Sequence, residues 1–325
     1  MTSPIPAKTT QLPPGIFCPV ISLFKPTREQ EIDPDASYKF FRYLIRSGIH
    51  GLVLAGTTAE AVLLSPPERQ ELLRTARRAA LDLGFEKYPL VAGISGQSVN
   101  ETLRLADEAR QAGADYGLLL PPSYWPKAVT KDVLIDFYTE VADSGILPIV
   151  IYSFPSITNG IDLSSDTIST LATHPNITSV KLTCGNAGKV TRLTHEYTHA
   201  QFAVYAGSSD WLIPCLSGGG SGCVTGVANV FPKCTVRLFN LWKSGEIDEA
   251  RKLQGLIALA ERACKEGIAP TKFAAAYFAG PRAGGLDLEA FWPRRPYRPS
   301  EEKVREWVVG VMRPLVEIEG GLPDV

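Results

Sequence analysis

The chain lacks the features that mark several large classes of protein. None of its apolar runs approaches the ~20 residues that a membrane-spanning helix needs. Its 33 lysines and arginines balance 34 acidic residues for a net charge of −1, without a basic stripe, so we expect no nucleic-acid partner. The segment from Met1 to Pro14 holds one lysine and no apolar core, which predicts a disordered tail and no signal peptide. We expect a cytoplasmic protein, and a mitochondrial location stays open.

Cysteine and histidine are also sparse. The six cysteines form no C-x-x-C pair, which favours reduced thiols in apolar surroundings over a disulfide framework or a zinc ribbon. His195 and His199 form a literal H-E-x-x-H, the zinc-protease signature, but they fall on a predicted outer helix. A catalytic zinc needs a third protein ligand, and the two other histidines, His50 and His174, lie far upstream. We therefore expect no metal and no cofactor, and a zinc hydrolase is a remote alternative.

The chain is rich in a regular alternation of strand-like and helix-like segments. Eight such units between Gly15 and Gly245 predict an α/β protein with a closed TIM (β/α)8 barrel. The stretch from Ala187 to Ala200 is the predicted helix between strands six and seven. After residue 245 the alternation stops, and further helices predict a C-terminal helical extension over 246–325.

The sixth predicted strand carries an unusual lysine. Val180 and Leu182 alternate with Ser179, Lys181 and Thr183, so that the apolar pair faces the helices and Lys181 points into the barrel. Burying a charged lysine costs several kcal/mol (roughly 3–5 pKa units at the extreme), which favours the neutral, nucleophilic amine. The simpler alternative is a lysine at the end of its strand with the amine in water.

Other polar side chains follow neighbouring strands at the barrel end where active sites lie. Thr57 and Thr58 follow strand two, Tyr124 follows strand four, and Tyr152 ends strand five beside the strand of Lys181. An amine next to a phenol suits Schiff-base chemistry on a carbonyl, which needs a neutral nucleophile and a proton carrier. Alternatively, Tyr152 donates to a backbone carbonyl and the threonines cap a helix, so the residues alone leave both readings open.

Six short segments occur in a characteristic order, and together they carry a resemblance. They are Gly56–Glu60, Pro121–Tyr124, Tyr152–Pro155, Val180–Lys181, Gly207–Asp210 and Gly222–Asn229. From about Gly15 to Arg282 the chain resembles the dihydrodipicolinate synthase/N-acetylneuraminate lyase superfamily, whose members are class I aldolases that handle pyruvate.

The resemblance implies a role for each matching residue. Lys181 would form the Schiff base with pyruvate or another 2-oxo acid, and Tyr152 would relay protons. Thr57 would link Tyr152 to Tyr124, which in this family reaches in from a neighbouring subunit of a homodimer or homotetramer. The implied substrate-binding positions are Gly56, Thr58, Val224 and Ile157.

Two departures from the family pattern bear on the substrate. Dihydrodipicolinate synthases carry an arginine where this chain has Ile157, and isoleucine cannot form a bidentate carboxylate contact. That synthase activity is therefore the alternative, and the sequence resembles more nearly the 4-hydroxy-2-oxoglutarate aldolases and fungal 2-keto-3-deoxy sugar acid aldolases, such as L-threo-3-deoxyhexulosonate aldolase. Ala59 replaces a family glycine and would be strained if its φ were positive. A barrel that has lost catalysis is a further alternative, which the retained threonines, tyrosines and lysine disfavour.

Overall fold

A computed structural model describes residues 11–324, so most of the predicted N-terminal tail lies outside the described part. The strands are β1 Gly15–Pro19, β2 Gly51–Leu54, β3 Leu90–Gly93, β4 Tyr116–Leu119, β5 Ile149–Ser153, β6 Ile177–Leu182, β7 Ala203–Ala206 and β8 Gly222–Val224. The barrel helices are α1 Pro34–Arg46, α2 Pro66–Leu81, α3 Val99–Gln111, α4 Lys131–Asp143, α5 Ser165–Ala172, α6 Ala187–Glu196, α7 Leu212–Ser217 and α8 Pro232–Ser244. Four helices follow: α9 Ile247–Lys265, α10 Ile268–Ala274, α11 Glu302–Met312 and α12 Val316–Gly321.

The eight strands close into a parallel barrel in sequence order, with β1 paired to β8. A helix separates each strand from the next, which is the connection that parallel strands require. The predicted TIM-barrel fold with a helical C-terminal part is confirmed. No helix within residues 11–324 has the length and apolar content to cross a membrane.

Alternation along the strands divides the core into an inner and an outer part. The inner side chains, including Phe17, Val150, Tyr152 and Tyr205, pack against one another inside the barrel, whereas the intervening residues pack against the helices. The Tyr205 hydroxyl group lies against the carbonyl oxygens of residues 12 and 13, at 2.7 and 2.8 Å. Buried Leu12 thus closes the amino end of the barrel, and the carboxyl end is left for a site.

A glycine makes the closure between β1 and β8 possible. Gly222 has a φ of 149°, and a Cβ atom there would lie 1.9 Å from the carbonyl oxygen of Gly15. Only glycine permits this close approach of two backbones. The glycine-rich segment from Gly218 to Gly222 is therefore a tight connection into β8, as its order after a helix and before a strand predicts.

The local sequence predicts the start of helix α2 correctly but not the end of helix α6. Ser65 and Glu68 form a capping box at the start of α2, which a serine followed three positions later by a glutamate predicts. The predicted extension of α6 to Ala200 is wrong, because Tyr197 is extended (φ −129°, ψ 130°) and its hydroxyl group donates to the Ser169 carbonyl at 2.8 Å. The tertiary contact of this buried ring ends the helix at Glu196.

The C-terminal part is tied to the barrel by an ion pair between Arg294 and Glu68. The guanidinium group lies against both carboxylate oxygens of Glu68, with the Nη1–Oε2 distance at 2.9 Å. Partial burial acts to raise the pKa of Glu68, but hydrogen bonds from Arg294 and Ser65 outweigh it and lower the pKa to about 2.

A carboxylate with a lowered pKa predicts a defined pH dependence of stability. Glu68 contributes stability that is complete above its ordinary pKa of 4.5 and is lost as the pH falls toward 2. We expect Glu68→Gln to lower the thermal midpoint at pH 7 by roughly 1–3 °C, and the difference to shrink below pH 4.5. Glu140 on α4 is exposed and forms no ion pair with the described residues, so Glu140→Gln is the control variant. A difference between Glu68→Gln and the wild-type protein that is constant from pH 7 to pH 3 would contradict this account.

Candidate active site

Lys181 and Tyr152 are brought together at the carboxyl ends of β6 and β5. The two residues are register partners, and the Lys181 Nζ atom lies 4.2 Å from the centroid of the Tyr152 ring. Lys181 is only 4% exposed and Tyr152 is 3% exposed, which excludes the alternative of an amine standing in water. Within residues 11–324, Nζ has neither an acidic partner nor a hydrogen bond. The amine therefore lies buried against the π face of Tyr152, without a charged partner in the described residues.

The loop after β2 forms a second part of the barrel mouth, on the strand opposite β6. Its turn is held by hydrogen bonds from the N–H of Ala59 to the Gly56 carbonyl at 3.2 Å and from the N–H of Glu60 to the Thr57 carbonyl at 3.0 Å. In the described part of the chain the N–H groups of Thr57 and Thr58 donate to no other group, and both residues are half-buried. Two free N–H groups beside two hydroxyl groups can bind a carboxylate by donating hydrogen bonds to its oxygens.

Ala59 is accommodated in this loop without backbone strain. Positive φ values occur nearby at Ala55 (49°) and Glu60 (57°) but not at Ala59, so the condition under which this alanine would be strained is not met. Ala59 is buried, and its carbonyl accepts a hydrogen bond from the Ser22 hydroxyl group at 2.7 Å. The methyl group therefore adds packing beneath the loop.

Two of the predicted substrate-binding residues frame the mouth. Val224 is the last residue of β8 and packs in the inner cluster of the barrel. Ile157 ends the short 3₁₀ turn after β5 and is 40% exposed, while the neighbouring Phe154 ring lies 5.7 Å from the ring of Tyr152. The segment from Ser153 to Leu163 contains no arginine, so it offers no bidentate partner for a carboxylate.

Tyr124 does not join the buried pair within one chain. It is 72% exposed, next to Trp125, which is 73% exposed, and the two rings meet edge to face at 5.1 Å. Its backbone is nonetheless fixed, because the Tyr124 N–H donates to the side-chain oxygen of Gln97 at 3.0 Å. An exposed aromatic pair on a fixed loop can contact another molecule.

A buried carboxylate beneath the ends of β7 and β8 was not predicted from the sequence. Glu261 of α9 is 2% exposed and accepts hydrogen bonds from the N–H of Ser209 at 2.9 Å and from the Thr225 hydroxyl group at 2.8 Å. Burial raises the pKa of Glu261, although these hydrogen bonds oppose the shift. Glu261 thus connects the loop after β7 to the loop after β8.

The H-E-x-x-H segment does not present two histidines from one helix. His195 is exposed on α6, whereas His199 follows the end of the helix and its Nδ1 atom lies 2.7 Å from the Ser221 hydroxyl group. Across the described residues no group of three histidine, cysteine or acidic side chains could hold a metal ion. The six cysteines are free thiols, and burial raises the pKa of Cys223 in β8 well above its usual range.

Comparison with known proteins identifies the family. Residues 13–313 match the Dihydrodipicolinate synthetase family. The chain belongs to this family. A Coccidioides immitis (strain RS) protein, provisionally named as a mitochondrial 4-hydroxy-2-oxoglutarate aldolase, is 44% identical over 311 residues, covering 95% of this chain and 98% of that protein. The L-threo-3-deoxy-hexylosonate aldolase of Aspergillus niger is 34% identical over 340 residues, covering 97% and 99%.

A solved relative in the Dihydrodipicolinate synthetase family extends the comparison to structure. YagE, a prophage protein of E. coli K12 crystallised with pyruvate, superposes with a TM-score of 0.81 at 26% identity, covering 93% of this chain and 98% of that one. The predicted family is confirmed, and with it the prediction of a carbon–carbon lyase of the aldolase type. The roles of the individual site residues stay predictions.

Proposed function

We propose that this chain is a class I aldolase that splits a 2-oxo acid into pyruvate and an aldehyde, or joins the two, through a Schiff base on Lys181. The observation that supports this most is the buried amine of Lys181, 4.2 Å from the ring centre of Tyr152 and without an acidic partner in residues 11–324. An amine in this environment is the nucleophile that condensation with a ketone requires.

In the proposed reaction, different residues transfer the protons and bind the substrate carboxylate. The Lys181 amine adds to the 2-oxo carbon, water leaves, and the resulting iminium accepts the electron pair when the carbon–carbon bond breaks. The Tyr152 hydroxyl group gives its proton to the departing water, and the resulting phenolate takes the proton of the substrate hydroxyl group as the aldehyde leaves. That proton then passes to the pyruvate carbon, and water hydrolyses the pyruvate iminium, which frees the Lys181 amine and returns a proton to the Tyr152 oxygen. The free N–H groups of Thr57 and Thr58 hold the carboxylate of the pyruvate part, with Gly56 allowing close approach.

Assembly into a homodimer or homotetramer is part of the proposal. Tyr124 is too exposed to act on its own Lys181, but it can complete a Tyr152–Thr57–Tyr124 relay in a neighbouring copy. For the compartment we propose the cytoplasm, while the Coccidioides relative carries the word mitochondrial in its name. Cell fractionation would decide between the two.

The aldehyde partner comes from 4-hydroxy-2-oxoglutarate or from a 2-keto-3-deoxy sugar acid such as L-threo-3-deoxyhexulosonate, in keeping with the named relatives. Dihydrodipicolinate synthase activity is the second candidate, and only family membership favours it. Ile157 and the absence of arginine from the segment 153–163 leave the carboxylate of aspartate semialdehyde without a partner.

A substrate screen tests this proposal. Each 2-oxo acid would be supplied to the purified enzyme at equal concentration, with pyruvate release as the readout, and aspartate semialdehyde with pyruvate would be the comparison. We expect release from at least one of the two aldol classes, at a kcat/KM at least about tenfold above that of the semialdehyde condensation, since a missing charged contact is worth ~1.5–3 kcal/mol. EDTA should leave the rate unchanged. A preference for aspartate semialdehyde would overturn the substrate assignment, and inhibition by EDTA would revive the metal alternative.

A further inference from the structure

The loop from Gly56 to Glu60 is attached to the C-terminal extension by a buried ion pair. The Lys272 Nζ atom of α10 lies 2.9 Å from the Oε2 atom of Glu60. The side chain of Lys272 is fully buried, and that of Glu60 is 4% exposed. The two residues are separated by 212 positions in the chain. Glu60 is the last residue of the loop and has a positive φ of 57°.

Further contacts hold the Lys272 amine and the second carboxylate oxygen of Glu60. Nζ of Lys272 also donates to the Trp292 carbonyl at 3.0 Å and lies 4.4 Å from the centroid of the buried Phe24 ring. The second carboxylate oxygen of Glu60 accepts the backbone N–H of Arg294 at 3.1 Å. Contacts from two separate segments of the extension therefore fix both oxygens of Glu60.

Stability alone does not account for an ion pair in this position. Removing two charges from water costs about as much as their attraction returns, and apolar replacements of similar volume are often neutral or stabilising. What a hydrogen-bonded pair provides in addition is a fixed direction, since only one placement of the Glu60 carboxylate satisfies Lys272 and Arg294 together. The placement of Glu60 in turn determines the path of the four residues before it.

The fixed path exposes the donors of the loop. The turn uses the N–H groups of Ala59 and Glu60 internally, and Ser22 holds the Ala59 carbonyl from below. The N–H groups of Thr57 and Thr58 are the donors left over in the described chain. We propose that Lys272 is a positioning residue, which acts through Glu60 to hold this loop in the shape that presents both N–H groups to a substrate carboxylate. This inference rests on the proposed function of the loop.

The test is Lys272→Met in the full-length enzyme, with pyruvate as the probe. Borohydride trapping over a series of pyruvate concentrations gives the pyruvate concentration for half-maximal labelling of Lys181. Steady-state rates give KM and kcat for the 2-oxo acid substrate. We expect the half-maximal concentration and KM to rise at least about tenfold while kcat changes far less, because lost positioning of a binding loop weakens ground state and transition state alike. Lys252→Met is the matched control, since Lys252 pairs with Glu249 in the same extension but on the surface. It should stay within about twofold of the wild-type values.

A second variant keeps the test decisive if Lys272→Met folds poorly. Glu60→Leu/Lys272→Met replaces the pair by apolar side chains, and we expect it to recover thermal stability without recovering pyruvate affinity. Recovery of both would show that the pair acts only through stability, and would overturn the inference. A folded Lys272→Met enzyme with wild-type affinity would overturn it as well.

Failure of the proposed function would look different. In that case pyruvate and borohydride would not label the wild-type enzyme at all. Hydrogen exchange of the amides at 55–61 would still report on the loop, and we expect exchange there to be faster in Lys272→Met than in Lys252→Met. Equal exchange in the two variants would overturn the positioning role independently of any activity.

Discussion

Lys181→Ala should abolish pyruvate-dependent borohydride trapping and lower kcat by at least about 10⁴-fold, because loss of the nucleophile from a catalytic unit has cost on the order of 10⁶-fold elsewhere. In the proposed reaction this amine carries the covalent intermediate, and its burial beside Tyr152 keeps water away from it. The measurement is intact-protein mass after trapping, together with the rate of pyruvate release.

Two further lysine variants make this result specific. Lys181→Arg keeps a basic side chain of similar length but removes the nucleophilic amine, so we expect the same loss of labelling. Lys303→Ala removes an exposed lysine of α11 and should leave trapping unchanged. The main competitor is Lys189, which is buried on the next helix but engaged by the Asp162 carboxylate at 2.6 Å. Peptide mapping that placed the pyruvate adduct on Lys189 in the wild-type enzyme would refute the role of Lys181.

The sequence was sufficient for the architecture and for the buried pair, and each success has a physical basis. The period-two alternation around Lys181 predicted which face of β6 it occupies, because only two faces exist and the apolar residues take the outer one. Applied to β5, the same parity points Val150 and Tyr152 inward, and the observed register joins Tyr152 to Lys181. Element ends depended on tertiary contacts, so the end of α6 was predicted four residues too late.

Sequence patterns did not predict which charged residues of the C-terminal helices are buried. In α9 the charged residues other than Glu261 are exposed, and in α10 Lys272 has no charged neighbour on its own helix, so local composition gave little sign that either charge is buried. Their partners, Glu60 and Ser209, lie more than fifty positions away. The available signal was weak: each charge lies among apolar residues, on the helix face that packs against the barrel. Only the tertiary arrangement shows that these helices support the loops of the site.

Tyr152→Phe should separate the two halves of the proposed chemistry. The phenylalanine ring keeps the contact with the Lys181 amine, so trapping with pyruvate should persist, whereas removal of the hydroxyl group should lower kcat by about 10²–10⁴-fold, the usual contribution of a positioned proton carrier. The measurement compares the extent of labelling at saturating pyruvate with the rate of cleavage of the best 2-oxo acid from the screen.

Tyr205→Phe is the matched control, since the barrel places a second tyrosine on the other side of Lys181. Tyr205 is the register partner of Lys181 on β7, but its hydroxyl group lies at the closed amino end, against the carbonyls of Leu12 and Pro13. Its loss removes a buried hydrogen bond and should lower stability by about 1–2 kcal/mol with little effect on kcat. Equal losses of kcat in the two variants would mean that the Tyr152 hydroxyl group carries no proton. The phenol would then act by packing alone, and the proton would have to travel through Thr57 or through water.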